Sequence, residues 1–342
     1  MAKHSPLESW WRMVWVASRR RSQAGFTLLE LLISIAIGSV ITATLLFGVV
    51  ELLKTNQRES ARTETQREMQ LALDFISNDL QEAVFVYDGS CLNGSGTVPP
   101  TGAGCPGVTN FIPASIASAP NIPVLAFWRL DPLPDWLKQR CTANAASFNP
   151  GAGAIPDAIR GVPCLSNRMY TLVVYYVNTD NPQNTWQGQA RIHRYTLPQF
   201  STTSQAANPP TPTAGWVDPT STDNQFIGWP LKNRISTQAS RPTGTGTVLT
   251  DFLDDPAGTA QACPQEPASK LPGYVRTPTN SSTSFYACVR GGGVAEGLPN
   301  QSVAVFLRGN AAGRGAIPPN NKVFFDMQTV TLTRSSLDKN PL

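Results

Sequence analysis

From Leu31 to Val50 the chain carries no charged residue. The run reads LLISIAIGSVITATLLFGVV. As a helix rising ~1.5 Å per residue it is long enough to cross a hydrocarbon core of ~30 Å. Arg19, Arg20 and Arg21 stand before it, and one carboxylate, Glu30, lies at its edge. A lone carboxylate beside a membrane span is costly and calls for a specific reason. The arginines predict that the N-terminal end stays in the cytoplasm and that everything after the run is exported. The apolar core is not followed by an A-x-A-like site, so residues 1–25 do not read as an ordinary secretory signal.

Charge agrees with this topology. Lys3, Arg12, Arg19, Arg20 and Arg21 against Glu8 account for the whole formal net charge of +4. The rest of the chain is balanced. It lacks the basic footprint that nucleic-acid binding needs, so no nucleic acid is expected as a partner.

The stretch Gly25-Phe26-Thr27-Leu28-Leu29-Glu30, with the apolar helix behind it, resembles the N-terminus of type IV prepilins and of the pseudopilins of type II secretion. The resemblance spans residues Arg19 to Val84. It implies cleavage by a prepilin peptidase between Gly25 and Phe26, N-methylation of Phe26, and retention of Glu30 in the mature subunit. It also implies other pilins or pseudopilins and an inner-membrane assembly platform as partners. The expected location is the inner membrane, crossed once, with the head periplasmic or extracellular and the subunit in a filament after assembly. Physical chemistry supplies a role for Glu30. The amine left on Phe26 by the cut is cationic, and Glu30 of a neighbouring subunit can pair with it, which offsets much of the cost of both charges in an apolar bundle. The competing reading is a plain signal anchor, with Glu30 reaching the headgroups.

Major pilins commonly carry a helix-breaking proline midway along this segment. Here only Gly38 and Gly48 interrupt the pattern. In that respect, and in its long cysteine-containing head, the chain looks like the PilW/PulJ group of minor subunits. Its layout is also similar to the pseudopilins of cyanobacterial hormogonium polysaccharide secretion, which makes an exported polysaccharide a candidate partner.

Beyond Glu51 the sequence turns polar, with no Pro or Gly before Gly89. Met69, Leu73, Ile76, Leu80 and Ala83 recur at helical spacing. The expectation is a continuous helix from Phe26 to about Val84, with two helices broken near Lys54–Gln57 as the alternative. The expected divisions are a leader (1–25), a transmembrane and assembly helix (26–53), its amphipathic continuation (54–87) and an exported β-rich head (88–342). Strands are expected at Val124–Leu130, at Met169–Val177 paired with Gln189–Leu197 as a hairpin, and at Val303–Leu307 with Val323–Arg334. Loops are expected at 89–122, 198–250 and 254–282. The fold class is α+β and pilin-like: one long N-terminal helix packed on an antiparallel sheet.

All six cysteines follow the membrane segment: Cys91, Cys105, Cys141, Cys164, Cys263 and Cys288. An even number on the exported side argues for disulfides. Sequence leaves fifteen pairings open for six cysteines, and nearest neighbours are the expectation because these residues lie in loop-rich stretches. A zinc site competes poorly, with no C-x-x-C pair.

Little supports an enzyme. After the leader the sole histidine is His193, within a strand pattern, and no cofactor is expected. Gly244-Thr245-Gly246 and Gly291-Gly292-Gly293 lack the Lys-Ser/Thr of a phosphate loop. Asp251, Asp254 and Asp255 form a weak candidate Ca²⁺ set against a solvated turn. Trp128, Trp136, Trp186, Trp216 and Trp229 could form a glycan-binding face, against core or loop anchors. The chain therefore reads as a minor pilin or pseudopilin, with a tip adhesin or substrate-binding subunit as the alternative.

Overall fold

The computed structural model describes residues 25–94, 104–151, 153–258, 261–264, 273–279, 282–291 and 301–333. The leader before Gly25, including the arginine triplet, lies outside the described residues, as do Gly292 and Gly293. Two compact units divide the chain, Met1–Asn56 and Gln57–Leu342.

Helix α1 (Leu28–Gln81) begins in the first unit and ends in the second. Its start is written locally. Thr27 Oγ1 accepts the Glu30 amide at 3.3 Å, and the Thr27 carbonyl accepts the amides of Glu30 and Leu31 at 3.0 and 3.1 Å. Thr-x-x-Glu is a capping-box sequence, and a carboxylate in the first turn suits the helix dipole. Hydroxyls inside the apolar run turn back on their own helix: Ser34 donates to the Glu30 carbonyl and Thr42 to the Gly38 carbonyl, both at 2.8 Å. That satisfies them without water.

In the second unit, α1 buries Ala61, Thr65, Met69, Ala72, Leu73, Ile76, Asp79 and Leu80. The spacing of this stripe matches the predicted apolar face. There is no break near Lys54–Gln57. The helix stops earlier than the pattern suggests, because Ala83–Val86 forms strand β1, with Phe85 opposite Trp128 and Val86 opposite Phe127. Val84, Phe85 and Val86 are β-branched or aromatic and buried on both sides, so pairing in the sheet wins over another helical turn.

After β1 come short helices α2 (Gly89–Asn93) and α3 (Ala114–Ala117), β2 (Asn121–Pro132), α4 (Asp135–Ala143), β3 (Arg168–Asn178) and β4 (Ala190–Pro198). A two-stranded ribbon of β5 (Leu231–Lys232) and β6 (Ile235–Ser236) follows. The chain ends in β7 (Thr247–Leu253), β8 (Val275–Thr277), β9 (Phe285–Arg290), β10 (Ser302–Asn310) and β11 (Phe324–Leu332). The main sheet is antiparallel, in the order β1-β2-β3-β4-β7-β10-β9-β8, with β11 on the other side of β10. The expected β3–β4 and β10–β11 pairs are both present. The first four residues of β7 and all of β8 fall in stretches expected to be loops. β8 has only three residues, and Thr247, Thr250 and Asp251 blur the apolar alternation of β7.

The sheet curls until its far strands meet. Thr277 of β8 donates to the Val124 carbonyl of β2 at 2.6 Å. The Gln301 carboxamide accepts the Val86 amide at 2.7 Å and donates to the Val86 and Gly291 carbonyls, each at 2.9 Å. Inside this curl lies the first core: Met69, Leu73, Ile76 and Leu80 of α1 against Phe127, Val173, Tyr175, Val305 and their neighbours. A second core covers the opposite face of β1–β4, where Trp128, Leu172, Val174 and Tyr176 meet Phe111, Phe226 and Trp229 from the loops. Both faces of β3 are therefore buried, which explains why it reads as a continuous apolar run.

A polar cluster pins the helix within the first core. Asp79, 6% exposed, meets Arg129 Nη1 of β2 at 2.6 Å and Arg194 Nε of β4 at 2.7 Å. It also accepts the Tyr175 hydroxyl of β3 at 2.6 Å. Burial, and then the Asp79 charge, push the Tyr175 phenol pKa up, so it remains a donor. A second clamp joins Arg314 to Glu68 through two bonds of 2.7 Å. Removing one member of a buried charged set strands the others. Asp79→Ala is expected to cost about 3 kcal/mol, read as a lower urea midpoint of tryptophan fluorescence for the full chain in detergent. An unchanged midpoint would show that the cluster does not hold the helix in place.

Candidate functional site

The chemically distinctive stretch is the start of α1. Gly25 and Phe26 precede the cap, and Phe26 is 74% exposed. Among the described residues, a Cβ added at Gly25 would meet nothing within 4 Å, so their packing does not require glycine there. Through Leu53 the described residues of the first unit bury no side chain, and α1 is long and apolar enough to cross a membrane. Glu30 sits in the first turn, exposed, with no ion-pair partner among the described residues. Gly25, Phe26 and Glu30 thus share one helix entrance that is open to another chain or to lipid.

The head holds the cysteines as three disulfides: Cys91–Cys105, Cys141–Cys164 and Cys263–Cys288, with Cα–Cα distances of 5.0, 5.5 and 5.8 Å. Each closes a short loop and stabilises the head by about 3 kcal/mol through the freedom it removes from the unfolded chain. The first anchors α2, whose start is capped by Asp88 Oδ1 accepting the Cys91 amide at 2.9 Å. The second ties α4 to the turn before β3, and the third ties residues 261–264 to β9. With every cysteine oxidised, none is left to ligate zinc.

The other candidates separate. Asp251 accepts the amides of Gln187 and Gly188 at 3.3 and 3.2 Å. Asp254 is buried against Asn310 Nδ2 at 3.0 Å, and Asp255 accepts the Ala257 amide at 2.9 Å. These are loop-building bonds, and no metal-binding group of three His, Cys, Asp or Glu occurs among the described residues. His193 stacks on Tyr176 with centroids 4.9 Å apart, and burial lowers its pKa from the ordinary histidine value. It is a packing residue of β4.

A single tryptophan face does not form. Trp128 and Trp229 are fully buried, edge to face at 5.4 Å. Trp136 donates to the Ser201 carbonyl and Trp216 to the Tyr170 carbonyl, both at 3.1 Å. Trp186 is 37% exposed under the Arg191 guanidinium. Sequence reasoning missed the Asp79 cluster. Its signal was a carboxylate on the buried stripe between Ile76 and Leu80.

Residues 20–46 match the family described as Prokaryotic N-terminal methylation motif. No curated protein and no solved structure matches the chain. The motif implies processing by a prepilin peptidase and assembly with pilins, and proteins of the pilin family are structural and not enzymes. With this motif leading into a membrane-length helix and an antiparallel head, the chain is a prepilin-like subunit of the type IV pilus and type II secretion kind, membrane-anchored before assembly with its head outside.

Proposed function

We propose that the chain is a minor pilin or pseudopilin, cut between Gly25 and Phe26, methylated on Phe26 and drawn into a filament through Glu30. The observation that carries this reading is Glu30 itself: one carboxylate, without an ion-pair partner among the described residues, at the head of the uncharged, exposed stretch 31–50 of α1. A carboxylate costs at most about 3 kcal/mol on insertion scales, the figure for the centre of a span, and Glu30 lies at the edge of one. Attraction to a cationic amine 4 Å away is worth about 4 kcal/mol at an effective dielectric constant of 20. The two are similar in size, so pairing with the Phe26 amine of a neighbour offsets the cost and sets an axial register. Open space around Gly25 supports the cut, because packing among the described residues does not call for glycine there.

Minor rather than major status is supported by the lack of proline in α1 and by the large disulfide-bonded head. Layout favours the PilW/PulJ-like group and, within pilus-like machines, polysaccharide export linked to gliding. A tip adhesin or substrate-binding subunit on the same scaffold is the second reading, favoured by concave loop-built surfaces on the head.

Intact-mass spectrometry of membrane-extracted protein is expected to give a chain beginning at Phe26, with one added methyl. Gly25→Val is expected to leave an uncut precursor; normal processing would move the cleavage site. Glu30→Ala is expected to insert in the membrane yet stay out of sheared filaments. Incorporation at the normal level would sink the register role of Glu30.

A further inference from the structure

Where β3 begins and β4 ends, the outer face of the sheet opens into a cavity of about 400 Å³. That is within the usual range for small-molecule sites. Its walls are fixed. The Tyr170 carbonyl accepts both the Gln199 amide at 3.2 Å and the Trp216 indole at 3.1 Å. The Tyr170 ring is held edge to face on Phe226 at 5.5 Å. The opposite wall, Val162 and Pro163, adjoins Cys164 and is tied through its disulfide to α4.

The groups lining the cavity are both aromatic and polar. Trp216 and Tyr170 are half-buried. Beside them the Arg168 guanidinium and the Gln199 carboxamide make no hydrogen bond or ion pair among the described residues. Asp218 uses Oδ1 for Thr220, accepting its amide at 2.9 Å and its hydroxyl at 2.7 Å, while Oδ2 takes no bond there. Burial, and then Asp218, push the Tyr170 phenol pKa up, so it stays a neutral donor.

Such a set suits a ligand with an apolar C–H face and a rim of hydroxyls. Aromatic rings take the face, and planar carboxylate, guanidinium and carboxamide groups each bond two neighbouring hydroxyls. One arginine beside one aspartate leaves the cavity without net charge, which disfavours phosphate. We propose that this cavity is a binding subsite for a neutral oligosaccharide, with Trp216 and Tyr170 as the platform and Arg168, Gln199 and Asp218 as the hydroxyl partners. The proposal deepens the cargo part of the function given above and rests on that part alone, since assembly through α1 does not require it.

The test is calorimetric titration of the full chain in detergent micelles with cellohexaose, maltohexaose and chitohexaose. At least one is expected to bind with a Kd below about 10 mM. Arg168→Ala and Gln199→Ala are each expected to weaken it about fivefold, the loss of one hydrogen bond. Both residues lie at the surface of the cavity, and an unchanged melting temperature verifies their folding; Trp216→Ala is avoided because the indole bond also builds the loop. Binding of none of the three, or binding that neither variant alters, overturns the proposal. A chain that binds none and still enters filaments separates failure of this site from failure of the assembly role.

Discussion

One buried carboxylate sets the geometry of the head. Asp79 comes from α1, and its partners Arg129, Tyr175 and Arg194 come from β2, β3 and β4, three successive neighbours in the sheet. A charge with so little water around it must find all its partners at once. The rotation of α1 about its axis and the register of three strands are thereby coupled. A slip of one residue in β3 would turn Tyr175 to the other face and remove one of the donors. Apolar contacts along Met69, Leu73, Ile76 and Leu80 supply the attraction, and Asp79 selects among the ways they could be arranged.

Much of this was legible residue by residue. The helix stripe, the β3–β4 hairpin and the β10–β11 pair follow from periodicities that the chain displays openly. Other elements were hidden for physical reasons. Ala83 fits the helical stripe, yet Phe85 and Val86 pair with β2, a choice that depends on partners more than 40 residues away. β8 is too short to show a period. The curl of the sheet depends on Gln301 and Thr277, polar residues whose roles appear only when distant edges meet.

The N-terminal motif was legible because its residues are contiguous, and the proposed cavity was not, because it is assembled from distant segments. The helix entrance needs Gly25, Phe26, Thr27 and Glu30 within six consecutive residues, so sequence alone displays it. The cavity beside Trp216 takes residues from segments spanning Leu130 to Thr220. Counting tryptophans could suggest a ligand face but not separate Trp216 from Trp128 and Trp229, which the second core absorbs.

Gln301 has a wider consequence. Its carboxamide presents to β1 one acceptor and one donor, the same pair that a neighbouring strand's peptide group would offer. A single side chain thus stands in for a missing strand at that seam. An exported protein with an open sheet edge offers a template on which further copies can stack indiscriminately. By closing this edge from within, the head removes one route to templated growth at that seam.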